Sequence, residues 1–170
     1  EEKIDVLSGV GTIDVLPAFK RAIAATSSQG NFVYPSCGVI NLPSGKMLFG
    51  DTLVLDSAVH IVGNSFGQSG GNWATTIVFP ADTTGIIVKK GEVNPSQNGG
   101  DGTIIEGVFL RGGNGSSGHG IWLQGRAKIR DCSITNFAEN GINIVADSGS
   151  RTNSNNWIVD TASSNGNGGH

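Results

Sequence analysis

One four-residue phrase recurs along the chain: Gly-Ile-Ile-Val at 85–88, Gly-Ile-Trp-Leu at 120–123 and Gly-Ile-Asn-Ile at 141–144. In each, the first and third residues after glycine are aliphatic: Ile86 and Val88, Ile121 and Leu123, Ile142 and Ile144. Alternation with a period of two marks a strand with one buried face. A second series lies between these phrases. Residues 105–110 (IEGVFL) match residues 129–134 (IRDCSI) without a gap, setting Ile105 with Ile129, Val108 with Cys132 and Leu110 with Ile134. Residues 157–162 (WIVDTA) continue that series, with Trp157 beneath Ile129. Strands this short cannot pair as hairpins with their immediate neighbours and keep the repeat in phase. They can pair in parallel with the equivalent strand one repeat later, so that like stacks on like about 4.8 Å apart. Each aliphatic buried this way contributes roughly 1.5–3 kcal/mol. The repeat therefore predicts an all-β parallel solenoid, with residues 52–63 and 75–80 as earlier strands.

Composition agrees with many short strands and tight turns: 27 glycines stand in 170 residues of which only 15% are charged. A β-sandwich would require antiparallel hairpins, and a doubly wound α/β fold would require helices for which residues 52–170 have no period. The net charge of -3 and the lack of a basic block argue against nucleic acid as a partner. No apolar run approaches the roughly 20 residues of a membrane span. The two cysteines, Cys37 and Cys132, fit no metal or redox spacing and read as buried free thiols. The chain opens on Glu1-Glu2 without a methionine and closes on NGNGGH, where the next strand is due. A fragment of a longer protein is expected.

Residues 14–26 differ from the rest. Asp14 can cap a helix, Pro17 suits its first turn, and Leu16, Phe19, Ala22 and Ile23 form one stripe. A short amphipathic helix here is expected to cap the open end of the strand stack. The expected division is a cap over 9–30 and strand-bearing coils over 31–170.

The segment GVGTIDVLPAFKRAI (9–23) resembles the opening "GDGxTDDTxAFQxAI" of pectate-lyase-like right-handed parallel β-helix proteins, a group that includes phage tailspikes and polysaccharide depolymerases. Gly9, Gly11, Asp14, Ala18, Phe19, Ala22 and Ile23 match, while Val10 and Val15 replace acidic residues. Residues 40–55 and the Gly63 turn in 61–65 are similar as well. The resemblance implies a single-stranded right-handed β-helix with an N-terminal capping helix. It also implies an extracellular or virion-surface location, possible homotrimers and a polysaccharide partner, cleaved by a lyase or hydrolase in the full-length form. A non-catalytic segment of a tail fibre or adhesin is the alternative, because this fold hosts both.

Candidate site residues follow from the alternation. Trp122 lies between inward Ile121 and Leu123 and so points outward, where an indole can carry a sugar ring. Asn143 holds the matching outward place in the next Gly-Ile strand. Arg126, Lys128 and Arg130 alternate with inward Ala127 and Ile129 and form an outward basic row suited to an acidic glycan. In the aligned repeats Arg130 falls beside Glu106, which predicts an ion pair. Glu106, Asp131 and Glu139 are the carboxylates nearest these strands, and His119 is a candidate base. Asp147, Asp160 and His170 fall in loops. No acidic stack calls for Ca²⁺, and no cofactor is expected.

Overall fold

The computed structural model describes residues 13–27, 38–64, 75–90, 100, 102–145, 156–159 and 161–163. The alternating segments form short strands, and every strand pairing is parallel. Among the described residues they lie in three sheets, and each sheet takes every third strand of the chain. The first sheet holds β1 (Gly38–Asn41), β4 (Val59–Val62), β7 (Thr103–Glu106), β10 (Ala127–Arg130) and β13 (Trp157–Val159), side by side in that order. The second holds β2 (Gly45–Leu48), β5 (Thr75–Val78), β8 (Phe109–Arg111), β11 (Ser133–Thr135) and β14 (Ala162–Ser163). The third holds β3 (Leu53–Leu55), β6 (Ile86–Val88), β9 (Ile121–Leu123) and β12 (Ile142–Ile144).

Register places like side chains next to each other. In the first sheet Ile40, Ile61, Ile105, Ile129 and Ile158 are partners in succession. Met47, Ile77, Leu110 and Ile134 do the same in the second, and Leu53, Ile86, Ile121 and Ile142 in the third. Most of these side chains join one buried apolar cluster. The glycine of the Gly-Ile phrase has a steric cause. A Cβ on Gly85 would lie 2.5 Å from the Gly120 carbonyl oxygen, and one on Gly120 would lie 2.3 Å from Ile134 Cγ2 and 2.4 Å from the Gly141 carbonyl oxygen. Neighbouring strands approach too closely here for any side chain.

The helix α1 (Leu16–Ser27) starts two residues later than expected and ends one later. Asp14 caps it: Oδ1 accepts the Leu16 N–H at 2.9 Å and the Gly50 N–H at 2.8 Å. Leu16, Phe19 and Ile23 are buried. Phe19 begins a run of ring contacts, with Phe49 at 5.2 Å, then Phe49 with Phe79 at 5.6 Å and Phe79 with Phe137 at 6.0 Å. Asp14 also forms a parallel bridge with Leu48 at the outer strand of the second sheet. None of the described helices is long and apolar enough to cross a membrane.

The expected class, an all-β single-stranded right-handed parallel β-helix, is corrected by these findings. The architecture is three parallel sheets of strands arranged side by side, mostly β, with one α-helix among the described residues. The helix lies beside β1, the outer strand of the first sheet, and its apolar stripe belongs to the same core as the strands. The runs 105–110 and 129–134 each span two strands. Gly107 (φ 67°) and Asp131 (φ 51°) take the left-handed conformation and turn the chain, so that β7 and β8, and likewise β10 and β11, fall in different sheets. The register of β13 also differs by one residue. Lys128 faces Trp157 and Ile129 faces Ile158, a shift that keeps isoleucine on isoleucine.

Cys132 is a buried free thiol whose Sγ lies 3.2 Å from the Arg130 carbonyl oxygen. Burial pushes it up from the ordinary 9.0 to about 11. Cys37, Asp147, Asp160 and His170 lie outside the described residues.

Candidate functional site

The outward row of the third sheet runs Val54, Ile87, Trp122, Asn143, each paired with the next. Inward neighbours Ile121 and Leu123 are fully buried and pin β9, so Trp122 stands on a rigid floor. The corner before β9 brings His119 to its edge, with ring centroids 5.7 Å apart and planes at 72°. The corner before β12 brings Glu139 to His119, with Oε2 3.2 Å from Nε2. The same Oε2 accepts the Gly118 N–H at 3.2 Å. His119 Nδ1 accepts the Asn140 N–H at 3.2 Å, and Asn143 Nδ2 lies 3.0 Å from Nε2.

These contacts define the imidazole. A nitrogen that accepts an amide proton carries none itself, so the neutral ring holds its proton on Nε2, where Glu139 Oε2 can accept it and Asn143 Nδ2, itself a donor, is only a neighbour. Both nitrogens are thereby engaged. His119 is only 15% exposed, while the Glu139 side chain is 48% exposed and reaches solvent.

On the other side of Trp122 a cavity of about 240 Å³ is lined by Lys90, Trp122, Gln124 and Val145. Of its lining, Gln124 and Val145 were not evident from the sequence. Gln124 and Val145 directly follow β9 and β12, and their N–H groups bond to Val88 and Leu123 carbonyls. The same repeat offset that aligned Trp122 with Asn143 would have found them. Trp122 Nε1 is buried without a hydrogen-bond partner. A buried donor left unpaired costs about 1–3 kcal/mol.

Four of the sequence candidates thus converge: Trp122, Asn143, His119 and Glu139. The others do not join them. Glu106 lies on the outer face of the first sheet, where the register pairs it with Arg130. Its Oε2 accepts a hydrogen bond from Arg130 Nε, and His60 Nε2 lies 3.3 Å from its Oε1, a charge contact without hydrogen-bond alignment. The Arg130 bond, aided by the charges of Arg130 and His60, holds the Glu106 carboxyl below the usual 4.5 despite partial burial. Sequence reasoning found Arg130 and missed His60, which the β4–β7 pairing supplies. Lys128 sits on that face between Ile104 and Trp157 in register, Arg126 is exposed just before β10, and Asp131 is an exposed corner residue. Among the described residues no group of three His, Cys, Asp or Glu side chains is placed to hold a metal ion.

Comparisons with protein-family models, with curated proteins and with solved structures found no match.

Proposed function

We propose that this chain binds a polysaccharide across the outer face of the third sheet, with Trp122 as the platform for one sugar ring. The observation that carries this reading is the Trp122 indole itself. It stands in the outward row of the third sheet, between two fully buried neighbours, and lines a cavity. The C–H face of a pyranose packs on an aromatic face, and sugar hydroxyls can pair with a side-chain amide such as Gln124 beside the ring. Glu139, about half exposed, can accept from hydroxyls at the rim. The resemblance of residues 9–23 to polysaccharide-handling proteins supports the same ligand class.

The geometry supports binding more directly than cleavage. Glycoside hydrolysis employs two carboxyl groups roughly 5–9.5 Å apart, and Glu139 is the carboxylate in contact with His119. With Nδ1 accepting from Asn140 and Nε2 facing Glu139, His119 positions Glu139 and the Asn140 corner.

The test is titration of the protein with dextran, chito- and galacturonate oligosaccharides by calorimetry and tryptophan fluorescence, using Trp122→Ala as comparison. At least one sugar class is expected to bind, and the variant to lose about tenfold or more in affinity, equivalent to roughly 1.4 kcal/mol. A wild-type protein indifferent to every probe, or a Trp122→Ala variant that binds as well, would refute the proposal.

A further inference from the structure

The contacts of His119 make the site sensitive to a proton. Its Nδ1 accepts the Asn140 N–H at 3.2 Å. Protonating that nitrogen turns the acceptor into a donor and sets two N–H groups against each other. The backbone around it is fixed from the other side: Gly120 N–H bonds to the Asn140 carbonyl at 2.9 Å, and Ile121 N–H to the Gly141 carbonyl at 2.8 Å. The strain therefore falls on the ring and on the Asn140 amide. Glu139, 3.2 Å from Nε2, is the charged group facing the ring from the β12 corner. From β12 and β9 the neighbours are Asn143 and Trp122, and from the corner before β6 it is Thr84, whose Oγ1 accepts the His119 N–H. None of these three carries a charge. Asp82 binds Ser116 and Ser117 of the same loop and is occupied by them. Glu139 thus draws the imidazolium toward itself through Nε2, while Asn140 rejects it at Nδ1.

We infer that His119 is a proton-operated latch: in its neutral form it clasps the Asn140 corner beside Trp122, and as the imidazolium it lets go and swings toward Glu139. Release moves the ring away from Trp122, so the sugar platform is assembled at neutral pH and loosened in acid. As a control on glycan binding the latch rests on the proposed function; as a rearrangement it stands on these contacts alone.

The test separates the two. Long-range ¹H–¹⁵N spectra of the wild-type protein follow the His119 tautomer between pH 8 and 5, the range in which imidazoles titrate. Amide exchange reports Asn140, and the Trp122 indole N–H, assigned with Trp122→Phe, reports the platform. The Nε2–H tautomer is expected at pH 8. As His119 gains its second proton, the Asn140 protection factor should fall about three- to tenfold and the Trp122 signal should shift with it. His119→Asn, whose side-chain oxygen can accept the Asn140 N–H but does not titrate, should abolish both responses. Affinity for the dextran, chito- and galacturonate probes should fall severalfold at pH 5 in the wild type. If the spectroscopic changes occur and no sugar binds at either pH, the latch holds and the binding proposal falls. An Nδ1–H tautomer at pH 8, or Asn140 and Trp122 signals that ignore His119 protonation, overturns the latch, and both wild-type readouts decide the matter even if His119→Asn does not fold.

Discussion

Replacing Gly120 with alanine tests the close strand approach on which the third sheet depends. The added methyl would sit 2.3 Å from Ile134 Cγ2 and 2.4 Å from the Gly141 carbonyl oxygen, with Phe137 Cδ2 at 3.2 Å. Ile134 is fully buried and cannot swing away, and Gly141 is backbone. Overpacking of this kind costs about 1–3 kcal/mol. The Ile121 N–H to Gly141 bond and the Gly120 N–H to Asn140 bond lie at the same point. Weakening them adds about 0.5–1.5 kcal/mol each. A loss of roughly 2–6 kcal/mol follows, a large share of the 5–15 kcal/mol that holds a typical domain. At about 2–4 °C per kcal/mol for a chain of this size, the melting temperature should fall by roughly 4–24 °C. Circular dichroism melting and urea titration measure it. Gly102→Ala is the control: its methyl would meet only Ala58 Cβ at 4.0 Å, so strain at φ +92° is its sole cost, and it should melt higher than Gly120→Ala. A Gly120→Ala protein that melts within a degree or two of the wild type would show that the strands do not approach as described, and the steric account of the Gly-Ile phrase would be wrong.

Two further outcomes are expected. Thr103 is fully buried and its Oγ1 has no partner; Thr103→Val keeps the shape and removes the orphan hydroxyl, so urea titration should show a gain of about 1 kcal/mol. Cys132, raised to about 11 in the folded protein, keeps its proton when the unfolded chain loses it near 9.0. Stability should therefore decline between about pH 9 and 11, by roughly 2–3 kcal/mol, and Cys132→Ala should lack that part of the alkaline loss when urea midpoints are compared across pH.

Much of the strand content was legible because alternation is a chemical signal. Ile86, Ile121 and Ile142 could be matched by eye, and they are partners in one sheet. The equal spacing of residues 105–110 and 129–134 likewise set Arg130 beside Glu106. What alternation does not carry is the place where a run bends. Asp131 and Gly107 have no apolar signature, and only their left-handed backbone divides each run between two sheets. Register was lost where a loop intervened: the ungapped match put Trp157 under Ile129, whereas Ile158 takes that position. Leu53–Leu55 joins the Gly-Ile sheet without a Gly-Ile phrase, because its buried leucines supply the same inward spacing. The site was legible in parts. His119, Trp122, Glu139 and Asn143 could each be named, but corners and strands belong to different rows of the pattern, and their meeting depends on how the chain turns at residues 118 and 136–141.

The pairings hold across very unequal intervals of chain. Ile142 follows Ile121 closely, while Ile104 lies far along the sequence from its partner His60, yet both pairs keep register. Differences in chain length between paired strands leave the strand ladder untouched. A lineage, or an engineer, can therefore rewrite the walls around Trp122 by exchanging corner segments while the floor beneath the indole stays in place.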